Sequence, residues 1–358
     1  MQHDLPLRVV HLRGGLRAVD DRSGKCAIQV EYNQVFGHFQ TTEYSQLYSQ
    51  LIGLSLPPLG CEFVNAASYQ GQQPPDWELA SPENGFLILA ERNAWSNIRF
   101  AESENGNAAT ADIAGRTATY LQLLSIRMLQ LSRAYNDMLR CWAQNRNRKA
   151  GHLFDNLYMT YVDAAVHAFV ADAASFRDLI TESIWCLVLQ NAPRVTRLTS
   201  FRREVSSSQH PLADVVLQAA NEGGWLFKFT ALRNDIIHVA PIGKRAGLHM
   251  CTIQELAIGA SVFPYLRYPL LDTDGAVRAS RLPDLRTDEA ARRSLKDYKA
   301  FVERSIDALD YAWDITNKLV ELQRGVRTAA GLHAEFPHIT DNDVIGDIVW
   351  LPHGNALP

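Results

Sequence analysis

Cysteine is scarce and unpaired. The 358-residue chain has five, Cys26, Cys61, Cys141, Cys186 and Cys251, an odd and scattered set with no CxxC pair. That argues against a disulfide framework and a thiolate zinc site, and fits a reducing cytosol. Long apolar runs are missing too, for none reaches the length that crosses a bilayer. The first residues, Met1-Gln2-His3-Asp4-Leu5-Pro6, have neither the basic start nor the apolar stretch of a signal peptide. The expectation is a cytoplasmic protein with no membrane partner. Neither sign of charge dominates, with 35 Lys and Arg against 39 Asp and Glu, a net −4. Nucleic acid is therefore not attracted globally, and any RNA contact must come from a local basic patch. Metal-ligand spacing is lacking among the eleven histidines, and residues 1 to about 100 have neither a glycine-rich phosphate loop nor an internal repeat. No cofactor and no metal are expected.

What the chain does have is a change of pattern along its length. Residues 1 to about 100 alternate short apolar runs, at 8–12, 26–32 and 86–89, with Gly, Asn, Asp and Pro clusters, which predicts strands. A helix is expected after Thr42, ending before Pro57-Pro58. The small, polar stretch 101–109 reads as a boundary. Beyond it Tyr120, Leu124, Met128, Leu131, Tyr135, Met138 and Trp142 recur at three and four, as do Val162, Val166, Phe169, Ala173, Phe176, Ile180, Ile184 and Leu187. The charges on the other face of that second helix, including Asp163, Asp172, Arg177, Asp178 and Glu182, read by default as solvated. Residues 191–209 read as a loop, Pro211 opens a short helix stopped by Gly223-Gly224, and 264–283 reads as another loop. Thr287 starts a last long helix ending near Gly325. The fold class is thus mainly α: a helical bundle over 106–328, a smaller mixed α+β N-terminal domain over 1–105, and a C-terminal tail over 329–358.

Within the helical part, residues 231–241 place Arg233, Asn234 and His238 inside an apolar, helix-compatible segment that Pro241 stops. In a regular helix Asn234 and His238, four apart, share a face, with Arg233 about 100° from Asn234. The arginine-to-histidine spacing recurs at Arg146/His152, Arg203/His210 and Arg327/His333, but those pairs cross a basic connection, a serine-rich loop and a glycine. Only Arg233/His238 lies in an apolar helix that follows a long amphipathic one. The bland alternative is a satisfied polar core, with Arg233 paired to an acid.

This arrangement resembles the R-x4-6-H signature of HEPN-domain ribonucleases, with the polar Asn234 after the arginine. The resemblance covers roughly 150–325 and makes the bundle HEPN-like. It implies a metal-independent endoribonuclease of the toxin or antiphage-defence kind. It further implies a homodimer with a composite site, products with a 2′,3′-cyclic phosphate, and an antitoxin or regulatory partner. The 2′-hydroxyl of RNA supplies the nucleophile, so the enzyme needs proton transfer from a histidine and charge stabilisation from an arginine fork. Asn234 would orient phosphate or imidazole. The tyrosine that stands two residues after the histidine in members silenced by nucleotide transfer is Ala240 here. Arg194, Arg197, Arg202 and Arg203 with Lys244 and Arg245 make a basic stretch suited to holding RNA, with Lys228 nearby and Trp225 able to stack on a base. The alternative is a non-catalytic HEPN-like module that binds RNA, a nucleotide or a partner protein.

Overall fold

The longest helix, 37 residues from Ala108 to Gln144, lies between a β-sheet and the other long helices, and the core forms on both of its sides. The computed structural model describes residues 7–20, 25–30, 35–40, 44–81, 86–145, 149–205, 210–239, 250–258, 261–271, 275 and 287–334. In chain order come β1 (Leu7–Leu12), β2 (Arg17–Asp20), β3 (Lys25–Gln29), β4 (Val35–Gln40), α1 (Tyr44–Gly53), β5 (Pro58–Val64), α2 (Ala66–Tyr69) and β6 (Asp76–Leu79). These strands form one antiparallel sheet in the order β4-β3-β2-β1-β5-β6. Next are α3 (Leu87–Glu104), α4 (Ala108–Gln144), β7 (Leu153–Phe154), α5 (Met159–Ser183), α6 (Leu198–Glu204), α7 (Pro211–Ala220) and α8 (Trp225–Asn234). The chain closes with β8 (Cys251–Ile258), β9 (Ser261–Arg267), β10 (Pro269–Leu271), α9 (Asp288–Arg304), β11 (Ile306–Asp307) and α10 (Ala308–Ala329). The protein is mainly helical, with an antiparallel sheet at its N-terminal end.

The three-and-four spacing does what it predicts. Leu124, Met128, Leu131, Tyr135 and Met138 of α4 are buried, as are Val162, Val166, Phe169, Ala173, Phe176 and Ile180 of α5. Each Val, Leu, Ile, Phe or Met among them contributes roughly 1.5–3 kcal/mol on leaving water. α5 packs along α4 and α10, α6 and α8 lie near its C-terminal end, and α7 packs on α8 and α10. Asn107 caps α4, Thr287 caps α9 and His210 caps α7 through their side chains.

Four expectations change. Residues 86–89 open α3, not a strand, because Ile88, Trp95 and Ile98 are buried at helical intervals beyond the short apolar run. Within 191–209, α6 forms on the buried Leu198 and Phe201. The expected loop from Pro264 contains most of β9 and all of β10; among the described residues β9 pairs with β8 alone, and an edge strand tolerates a proline whose nitrogen faces away from its partner. The last helix is two, α9 and α10, divided where β11 pairs with β10 and Asp307 caps the second. Residues 335–358, most of the expected tail, lie outside the described residues.

Where β1 and β5 meet α4, a polar cluster is sealed in. His11 is fully buried, with Nδ1 3.0 Å from Ser132 Oγ and Nε2 2.6 Å from Glu62 Oε1, the latter off the ideal hydrogen-bond line. Arg133 donates to both Glu62 oxygens. Burial first, then the nearby Arg17 guanidinium, lowers His11 from its usual 6.5 to about 3. Between those values the unfolded chain takes up a proton that the folded chain refuses, so the contribution is present above pH 6.5 and is lost as pH falls towards 3. We predict that stability drops through this window by up to about 1.4 kcal/mol per pH unit. A series of urea midpoints at stepped pH measures it, and His11→Gln is expected to flatten the slope.

Candidate functional site

An open cleft of about 750 Å³ lies where α5, α6 and α8 converge, and Arg233, Asn234 and His238 stand on its wall. Helix α8 does not continue as an ordinary helix through these residues. At Asp235–Val239 it loosens into a π-turn, in which each hydrogen bond reaches five residues back. In a regular helix residues five apart point about 140° from each other. The π-turn instead sets Arg233 above His238, and Arg233 Nη1 lies 2.9 Å from His238 Nε2. Arginine has no acceptor, so the guanidinium donates and Nε2 accepts with its lone pair. A second Nη1 bond, 3.2 Å long, goes to Asn234 Oδ1. Asn234 and His238 are exposed and Arg233 is half-buried. The pairing expected from a regular helix, Asn234 with His238, is thus replaced by Arg233 with His238. Arg233 has no acidic partner among the described residues.

Three elements hold this wall in place through one chain of hydrogen bonds. Asp178 on α5 accepts from the Leu198 amide at 3.1 Å, anchoring the start of α6. It also accepts from Arg177 Nε and Nη2 at 3.0 and 2.8 Å. Arg177 Nη1 reaches across to Thr230 Oγ1 on α8 at 3.0 Å, and Thr230 in turn donates to the Leu226 carbonyl. Thr230 lies one turn before Asn234, so the brace sits directly behind the Arg233–His238 pair. Arg177 is buried, although the sequence places it among charges read as solvated. That face is mostly engaged with neighbours: Glu182 pairs with Arg116, Asp172 with Arg127, and Asp163 with the Tyr268 hydroxyl. Replacing Arg177 with methionine leaves Asp178 with the Leu198 amide alone. We predict a loss of about 2 kcal/mol in urea unfolding, reduced from the fully buried case because Asp178 is partly exposed, against about 1 for Thr230→Val.

The remaining predicted residues divide. Arg197 and Arg202 line the cleft, exposed and without an ion pair among the described residues. Arg194 and Arg203 both pair with Glu204, and Arg194 also lies over the Trp185 ring, so neither is part of the cleft lining. Lys244, Arg245 and Ala240 lie outside the described residues. Arg177 adds a guanidinium that the sequence did not single out, and Asp178 neutralises it. Among the described residues Arg197, Arg202 and Arg233 remain uncompensated, which concentrates positive charge in one cleft of a chain whose net charge is −4. The competing arginine–histidine spacings have other uses. Arg327 is held by the buried Glu91, His210 caps α7, and Arg146 is outside the described residues. No protein-family model, curated protein or solved structure matches the chain.

Proposed function

We propose that the protein is a metal-independent endoribonuclease that cleaves RNA by attack of the 2′-hydroxyl, with Arg233 and His238 as its reacting groups. One observation carries the reading: the π-turn sets the Arg233 guanidinium 2.9 Å from His238 Nε2 on the wall of an open, arginine-lined cleft. Such a pair is arranged for a phosphodiester. The incoming phosphate draws the Arg233 fork onto its oxygens, which frees His238 Nε2 to take the 2′-hydroxyl proton. The 2′-oxygen then bonds to the adjacent phosphorus and the bond to the 5′-oxygen breaks, giving a 2′,3′-cyclic phosphate and a 5′-hydroxyl. Charge growing on the phosphorane oxygens meets Arg233, with Arg197 and Arg202 holding the strand on either side. A proton for the leaving oxygen fits a second imidazole, as a homodimer would supply. The exposed Phe227 and Ile237 beside the pair give a second copy apolar surface to meet. A toxin or defence setting with an antitoxin partner extends the reading by resemblance.

Purified protein incubated with RNA in EDTA tests it. Cleavage with 2′,3′-cyclic phosphate ends is expected from the wild type and not from His238→Ala. Cleavage that the chelator stops, or that the substitution leaves intact, overturns the reading. RNA binding with no cleavage by the wild type supports a helical binding module instead.

A further inference from the structure

A second pocket, of about 440 Å³, opens at the other end of α8 and has no part in the cleft chemistry. The turn between α7 and α8 puts it there. Gly223 has φ +81°, and a side chain at Gly224 would strike the Ala219 carbonyl oxygen at 2.2 Å, so both positions favour glycine. The first turn of α8 therefore starts against α10, with no side-chain cap over its amides.

Three observations show what would fit. Trp225 from α8 and Trp313 from α10 offer indole rings, and Arg13, just after β1, lies 4.5 Å over the Trp313 ring. The volume suits a small planar ligand, since such sites span roughly 300–1,000 Å³. Second, the pocket is lined by residues whose buried donors lack hydrogen-bond partners among the described residues: Tyr311 Oη, on a side chain only 8% exposed, and Trp313 Nε1. Native interiors rarely leave such groups unsatisfied. Burial first, and then the Asp314 carboxylate, push the Tyr311 hydroxyl well above its usual range, so it stays a donor. Third, the charges do not cancel. Arg13 faces Asp310 at 3.4 Å and Lys318 faces Asp314 at 2.6 Å, whereas Lys228 has no anionic partner among the described residues. Among the described residues, one unpaired cation thus lies beside an uncapped helix start, which calls for an anionic group.

We infer that this pocket binds a nucleotide unit, its base against Trp225 and Trp313 with hydrogen bonds from Tyr311 and Trp313, and its phosphate at Lys228 and the start of α8. The inference is independent of whether the cleft cleaves RNA. The same chemistry is found in a free nucleoside monophosphate and in one residue of an RNA strand, and titration with both separates the two sources.

Calorimetric titration of the full chain with adenosine 5′-monophosphate tests this, with adenosine, inorganic phosphate and tetra-adenylate in parallel. The monophosphate is expected to bind more tightly than adenosine or phosphate. Lys228→Ala is expected to weaken it about tenfold and leave adenosine unaffected. Tyr311→Phe is expected to weaken both about fivefold without lowering the urea midpoint, because it removes an unsatisfied group. Arg197→Ala, in the cleft, leaves both affinities unchanged. Tetra-adenylate binding more tightly than the monophosphate, with the same response to Lys228→Ala, keeps the chemistry and assigns the pocket to RNA. Failure of both probes at millimolar concentration, or affinities that follow Arg197→Ala and ignore Lys228→Ala, overturns the inference.

Discussion

Changing His238 to alanine is expected to lower single-turnover RNA cleavage about a thousandfold, measured in excess enzyme with EDTA present. The magnitude follows from the role proposed for it, since a positioned proton acceptor contributes roughly 10²–10⁴. Arg233→Ala is expected to cost about 10²–10³, the range for one preorganised charge-stabilising group. The double substitution should cost little more than His238→Ala alone. Arg233 and His238 are bonded to each other at 2.9 Å and act on the same phosphate, so each loses most of its value without the other. Costs that multiply would mean that the two groups work independently. A His238→Ala protein that cleaves within tenfold of the wild type sinks the assignment.

Asp307→Ala is expected to remove about 3–4 kcal/mol of unfolding free energy, the largest effect on stability for a single residue proposed here. Its carboxylate is 2% exposed and gathers donors from three places. It accepts from the Leu309 and Asp310 amides at 3.0 and 3.2 Å as the cap of α10, from the Tyr268 amide at 2.8 Å, and from the Tyr135 hydroxyl of α4 at 3.1 Å. Alanine strands these donors, and each unmade buried bond costs about 1–3 kcal/mol before relaxation. Loss of the cap accounts for about 1 of the total. Asp307→Asn keeps one acceptor oxygen and should lose about half as much. Urea unfolding followed by circular dichroism decides it, and a loss below about 1 kcal/mol for the alanine variant contradicts the account.

How far the sequence was legible depended on whether a feature is local. The buried faces of α4 and α5, the caps at Thr287 and Pro211's opening of α7 are written in residues three or four apart, and they stand as read. Arg233 and His238 were visible as a pair through their apolar setting. How they meet was not, because a regular winding had to be assumed and the chain departs from it at Asp235. Arg177 was misread for a different reason: its partner Thr230 is 53 residues further on, and nothing within α5 marks which charge will be covered. The start of α6 is likewise anchored by Asp178 of α5 and not by its own neighbour, so 191–209 reads as loop until α5 is in place. β9 hid behind Pro264, whose lack of a donor costs no ladder bond where its nitrogen faces the unpaired edge of an edge strand.

Helix α8 is ten residues, a rod about 15 Å long. Lys228 and Trp225 stand near one end of it and Arg233 at the other. The Arg177–Thr230 bond grips the rod between those ends, so one short helix pinned to α5 supplies wall residues to two separate hollows.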